Sequence, residues 1–128
     1  MAVIPFAGKA MLVNRAWFGA LGVASPTPLP RAAGFKPKQM TTAARLYAAT
    51  FGIREWLMVG IALAAAARGQ DDRSTRRLLL AYAAVDGFDT LSALVAARDP
   101  DMRAAGVTTA IGGVVNAAGD LIWASRLS

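Results

Sequence analysis

The chain contains neither cysteine nor histidine. Without cysteine there is no disulfide, thiol nucleophile, iron–sulfur cluster or zinc-thiolate site. Without histidine, the commonest metal ligand, the usual proton shuttle and the usual haem ligand are missing too. No metal and no cofactor are therefore expected, and any acid–base chemistry falls to carboxylates, tyrosine, arginine, lysine or bound water. Charge is scarce as well, at 17% of residues, against about a quarter in ordinary soluble domains. Also lacking is a long uninterrupted apolar run of the kind that marks a spanning helix at a glance. The longest, WLMVGIALAAAA at 56–67, is short enough for a buried helix in a soluble protein.

What is present points to lipid all the same. The 128 residues make a single domain, 1–128, of which 55% is apolar, and the mean hydropathy is +0.41. A net charge of +6 and a pI near 10.8 raise the question of nucleic acid. The basic residues, however, are not gathered on one helix face with interleaved aromatics. They lie mostly in short connectors, where they suit anionic lipid headgroups, so membrane lipid and not nucleic acid is the expected partner.

Helix starts and stops predict four helices, at 3–24, 41–67, 75–97 and 101–125. The stretch 25–38, SPTPLPRAAGFKPK, has four prolines and reads as a surface connector. Thr41 or Thr42 caps the second helix, which ends at Arg68-Gly69. Ser74 or Thr75 caps the third, and Asp99-Pro100-Asp101 opens the fourth. Spans of this length, at about 1.5 Å per residue, are enough to cross a hydrocarbon layer of about 30 Å. Val23-Ala24-Ser25 loosely matches a signal-peptide cleavage site, but Asn14 and Arg15 interrupt the apolar region before it. The first helix is therefore expected to stay in the mature chain.

Each helix carries polar groups near mid-length: Asn14 and Arg15, Arg54 and Glu55, Asp86 and Asp89, Asn116 and Asp120. On the third, Tyr82, Asp86, Asp89 and Ser92 share one face, while Leu80, Ala84, Phe88, Leu91 and Val95 fall opposite. On the fourth, Thr109, Gly113, Asn116, Asp120 and Trp123 form a similar stripe. On the second, Tyr47, Phe51, Arg54 or Glu55 and Met58 do so, with Trp56 expected as a cavity wall or core filler. In water the greasy faces would be exposed, and isolated ions in hydrocarbon are costly, so the polar groups should face one another or a hydrated cavity. The expected fold is an all-α, four-helix transmembrane bundle with a polar interior.

Such a centre sets two arginines against four carboxylates. At least one carboxyl is expected to be protonated at neutral pH, through desolvation and like-charge proximity. A protonated carboxyl beside an ionised one is what general acid and base work requires. Asp86 and Asp89 are the first candidates, with Glu55 and Asp120 completing the carboxylate set. Arg54 and Arg15 would orient a carboxylate or stabilise an oxyanion. Asn116 would place water or a substrate oxygen, Asn14 lines the same level, and Tyr82 would donate a proton. Isomerisation, cyclisation or epoxide opening of a lipophilic small molecule fits these groups.

Two other classes compete. The charged centre is equally an interhelical staple, through Arg54–Asp86 or Arg15–Asp120, in an accessory subunit of a larger membrane complex. It would also serve a proton or ion pathway in a homo-oligomer. Small-xxx-small pairs, Gly113/Ala117 and Ala62/Ala66, offer close helix packing. No internal repeat supports an inverted-repeat transporter.

Arg15-Ala16-Trp17-Phe18-Gly19, then Gly52-Ile53-Arg54-Glu55 followed by Gly60, and the acidic third helix resemble small four-helix bacterial membrane proteins of unknown function, broadly DoxX-like. The resemblance covers most of the chain after residue 10. It implies a four-helix form and a bacterial inner-membrane location, and brings no catalytic assignment. Basic residues divide evenly between the two ends of such a bundle. The compact cluster Arg68, Arg73, Arg76 and Arg77 favours both termini on the cytoplasmic side.

Overall fold

The computed structural model describes residues 4–24 and 28–127. These residues are helical, with no strand among them. Helix α1 is Phe6–Ala24, α2 is Pro28–Ala32, α3 is Thr42–Ala67, α4 is Asp72–Ala96 and α5 is Arg103–Ala124. The described residues therefore hold five α-helices where four were expected. The extra one, α2, is a five-residue helix inside the proline-rich connector. A short 3-10 turn follows it at Pro37–Gln39. Proline forbids helix interiors but suits first turns, and both elements begin on one.

The ends of the helices follow side-chain caps. Thr41 accepts from the Ala44 N–H at 3.1 Å and starts α3, as expected. At its far end Gly69 takes φ +62, the left-handed conformation that closes a helix cheaply only with glycine. Two expected starts are corrected. Asp71, not Ser74 or Thr75, caps α4: its carboxylate accepts from the Ser74 N–H at 2.9 Å, so the helix begins three residues early. Helix α5 begins at Arg103, with no side-chain cap. Asp99 instead closes a turn on the Asp101 N–H at 2.8 Å, and Asp101 faces Lys36 and Lys38 of the connector. The expected start of the first helix at Val3 lies outside the described residues.

The four long helices form a ring in the order α1, α3, α4, α5, with neighbours antiparallel. Helices α4 and α5 pack most closely, α1 lies on α3 and more lightly on α5, and the α3/α4 side is thinnest. The α1/α3 contact is made by glycine. A Cβ at Gly52 would sit 2.8 Å from the Gly19 carbonyl oxygen and 2.9 Å from Gly22 Cα, so no other residue lets the backbones approach this far. Toward the 68–71 end, the interior is filled by bulkier groups: Met11, Met58, Leu79, Tyr82 and Trp123.

Helices α3, α4 and α5 are each long and apolar enough to cross a membrane. Their outward faces are greasy: Phe88 is 72% exposed, Ile111 61% and Leu57 60%. The stripe expected on α4, Leu80, Ala84, Phe88, Leu91 and Val95, is exposed along its whole length. The interior meanwhile holds buried charge, the reverse of a soluble bundle.

Candidate functional site

Arg15 lies at the centre of the ring and is wholly enclosed. Its guanidinium gathers one carboxylate from each of the other long helices. Nη1 donates to Glu55 Oε2 of α3 at 2.7 Å. Nη2 donates to Asp120 Oδ2 of α5 at 2.7 Å, and also to Asp86 Oδ2 of α4. Nε turns to the Met11 sulfur at 3.0 Å, one turn back along α1. The Tyr82 ring centroid lies 5.7 Å from the guanidinium carbon, on the 68–71 side. Arginine's planar fork makes this possible, since a lysine offers a single point of charge.

Beside this group, Asn14 donates to Asn116 Oδ1 at 2.8 Å and joins α1 to α5 at the same level. Toward the thin α3/α4 side, Arg54 Nη2 bridges Glu55 Oε1 at 2.9 Å and Asp89 Oδ2 at 2.5 Å. Its guanidinium stacks on Phe51 at 4.7 Å. The side chains of Arg54 and Asp89 are 32% and 29% exposed. Glu55, bound to both arginines, thus connects an enclosed centre to an open edge.

The expected residues are therefore largely brought to one level: Arg15, Arg54, Glu55, Asp86, Asp89 and Asp120 are joined by ion pairs, the Tyr82 ring faces Arg15, and Asn14 and Asn116 bond to each other beside them. Of the two staples anticipated, Arg15–Asp120 is made. Arg54–Asp86 is not, because Asp86 turns inward to Arg15 and leaves Asp89 for Arg54. Asp86 and Asp89 consequently serve different arginines instead of forming one acid–base pair.

Trp56 is a correction. It is 47% exposed, covers Gly19 from outside and donates to the Ala16 carbonyl at 3.0 Å. The buried indole is Trp123, at 1% exposure. Tyr47, Ser92 and Thr109 also leave the polar stripes and point outward. Met58, expected on the second helix's stripe, lies with its sulfur 3.6 Å from Arg15 Nη1, and the sequence reading missed Met11, whose sulfur lies 3.0 Å from Arg15 Nε. The i,i+4 spacing of Met11 and Arg15 was the available signal.

Among the described residues no group of carboxylates is arranged to hold a metal ion. The guanidinium occupies the point where Glu55, Asp86 and Asp120 converge. Two shallow, open apolar grooves, about 310 and 450 Å³, lie on the outer face of the α4/α5 pair. Leu94 and Ile111 line one, Leu91 and Leu121 the other, and neither reaches Arg15. No family model, curated protein or solved structure matches this chain.

Proposed function

We propose that the chain is an integral membrane protein of DoxX-like type, built on the four long helices. Its Arg/carboxylate centre binds a lipophilic small molecule arriving from the bilayer. Three helices meet the length and composition required of a span. Helix α1 does not, because Lys9, Asn14 and Arg15 interrupt it. An arginine at mid-membrane costs about 2.5–3.5 kcal/mol on insertion scales, and pairing offsets that cost. Arg15 is paired by three carboxylates, so α1 inserts alongside its neighbours.

The observation that carries the binding reading is the open edge. Arg54 and Asp89 are part-exposed on the thin α3/α4 side and continuous, through Glu55, with the buried ions. A polar group on an otherwise apolar ligand meets Arg54 and Asp89 first. There Asp89 and Glu55 flank one guanidinium, which equips the edge for cofactor-independent acid–base conversion such as isomerisation, cyclisation or epoxide opening. Both termini lie on the cytoplasmic side in this reading.

Native mass spectrometry of protein extracted in a mild detergent tests it. The expected result is a reproducible lipophilic adduct that is lost in Arg54→Ala protein. A stoichiometric protein partner and no adduct would instead support the accessory-subunit reading. That reading is favoured by one observation: shallow apolar grooves lie on the outside of the α4/α5 pair, while Arg15 is enclosed.

A further inference from the structure

We propose that the Arg15 centre is a proton-binding site, with one exchangeable proton held by the Asp86/Asp120 pair. The charge count comes first. Facing one another in the layer are Arg15 from α1, Arg54 and Glu55 from α3, Asp86, Asp89 and Tyr82 from α4, and Asp120 from α5. Two fixed cations against four carboxylates leave two negative charges at the middle of the bundle. Asp89 is part-exposed and keeps one of these at the edge. The other falls among groups that water does not reach, where an uncompensated charge is untenable.

Geometry then locates the proton. Asp86 Oδ2 and Asp120 Oδ2 both crowd onto one nitrogen, Nη2 of Arg15. Glu55, by contrast, spreads its two oxygens over two arginines. Like-charged carboxylates on one donor are relieved by taking up a single proton between them. Independently, Asp120 Oδ1 is fully buried and has no hydrogen-bond partner among the described residues. Leaving an ionised oxygen without a donor there costs more than leaving a neutral carboxyl oxygen unpaired. Two further buried polar groups have no partner among the described residues: the Tyr82 hydroxyl, one turn before Asp86 in sequence, and the Trp123 N–H, one turn after Asp120. Both are more than nine-tenths buried. A metal cation is the poorer occupant, because the guanidinium already fills the point of convergence.

The reaction is uptake of one proton from bulk water by the pair, which lowers the layer's net negative charge from two to one. It stands whether or not a ligand binds. Infrared spectroscopy of the full chain in proteoliposomes at neutral pH, in light and heavy water, tests it. Asp120→Asn and Asp86→Asn proteins provide the comparison. The expected result is a carboxylic-acid carbonyl band that shifts in heavy water and disappears in Asp120→Asn protein, with the helical circular dichroism retained. Retention of that band in both variants would place the proton elsewhere and overturn the proposal. Absence of the band from folded wild-type protein would overturn it outright. Asparagine closely matches a neutral carboxylic acid, so unfolding of both variants would also count against it. A band without any lipophilic adduct leaves this proposal standing while the binding reading fails.

Discussion

Arg15 and Arg54 are the same side chain facing the same kind of partner, and they even share Glu55. Arg15 has no exposed surface and three carboxylates, whereas Arg54 has about a third of its side chain exposed and two. The difference comes from one step in sequence. Glu55 points to the ring's centre, and a helix turns about 100° per residue, which carries Arg54 round to the α3/α4 side. Enclosure changes what an ion pair does. Removing one member of a buried set strands its partners without water, whereas an edge pair falls back on solvent or headgroups. The centre therefore depends on its own ions for compensation, whereas the edge can draw on its surroundings.

This contrast is open to attack from several sides. The largest effect is expected from Arg15→Met, which leaves enclosed Asp86 and Asp120 without a cation and Glu55 with Arg54 alone. A loss of about 3–5 kcal/mol would eliminate folded protein, as seen by size-exclusion chromatography in detergent. Arg15→Lys should rescue it only in part, because one ammonium cannot reproduce the fork. A packing control comes next. Gly52→Ala touches neither arginine but forces α1 from α3, at a cost of about 1–3 kcal/mol. The thermal melt should drop while any adduct on the surviving folded protein persists.

Arg54→Met should be milder, about 0.6–2 kcal/mol, the usual range for polar contacts between membrane helices. Its mark should be loss of the adduct from protein that still folds. If Arg54→Met proves as destructive as Arg15→Met, the division between centre and edge is wrong.

The smallest effect belongs to a third ion group outside the helical core. Asp101 takes Lys36 at 2.9 Å and Lys38 at 3.1 Å, and all three side chains are about half-exposed or more. These two ammonium groups hold the Asp101 carboxyl below its ordinary value. A depressed carboxyl contributes stability that is present above the unfolded value and lost as pH falls through the folded one. Melting curves of wild type and Asp101→Asn should therefore differ slightly at neutral pH, begin to converge as pH falls below about 4 and meet only below the depressed folded value.

Much of this was legible in the residues, because α-helices and buried charge both leave periodic traces. The positions of Asn14, Arg15, Glu55, Asp86, Asn116 and Asp120 within their helices sufficed to put them at one level. Partner choice was not legible. Asp86 and Asp89 lie a turn apart on one face, and nothing in that spacing says that Asp86 pairs with Arg15 while Asp89 pairs with Arg54. Trp56 misled because adjacency to Glu55 says nothing of direction: the next residue on a helix turns well away from the centre. Local capping decided the start of α4, where Asp71, Ser74 and Thr75 compete within a few positions, while α5 starts at Arg103 without a side-chain cap because Asp99 closes a turn instead.

The claim beneath all of these is that apolar faces meet lipid while charge is held inside. A cysteine-free chain allows a direct test with single-cysteine variants and a membrane-impermeant maleimide in oriented vesicles. Phe88→Cys on the outward face of α4 should resist labelling until detergent is added. Gln70→Cys and Asp99→Cys, at opposite ends of the bundle, should label from opposite sides. Rapid labelling of Phe88→Cys in intact vesicles, or of both end positions from the same side, would contradict the account.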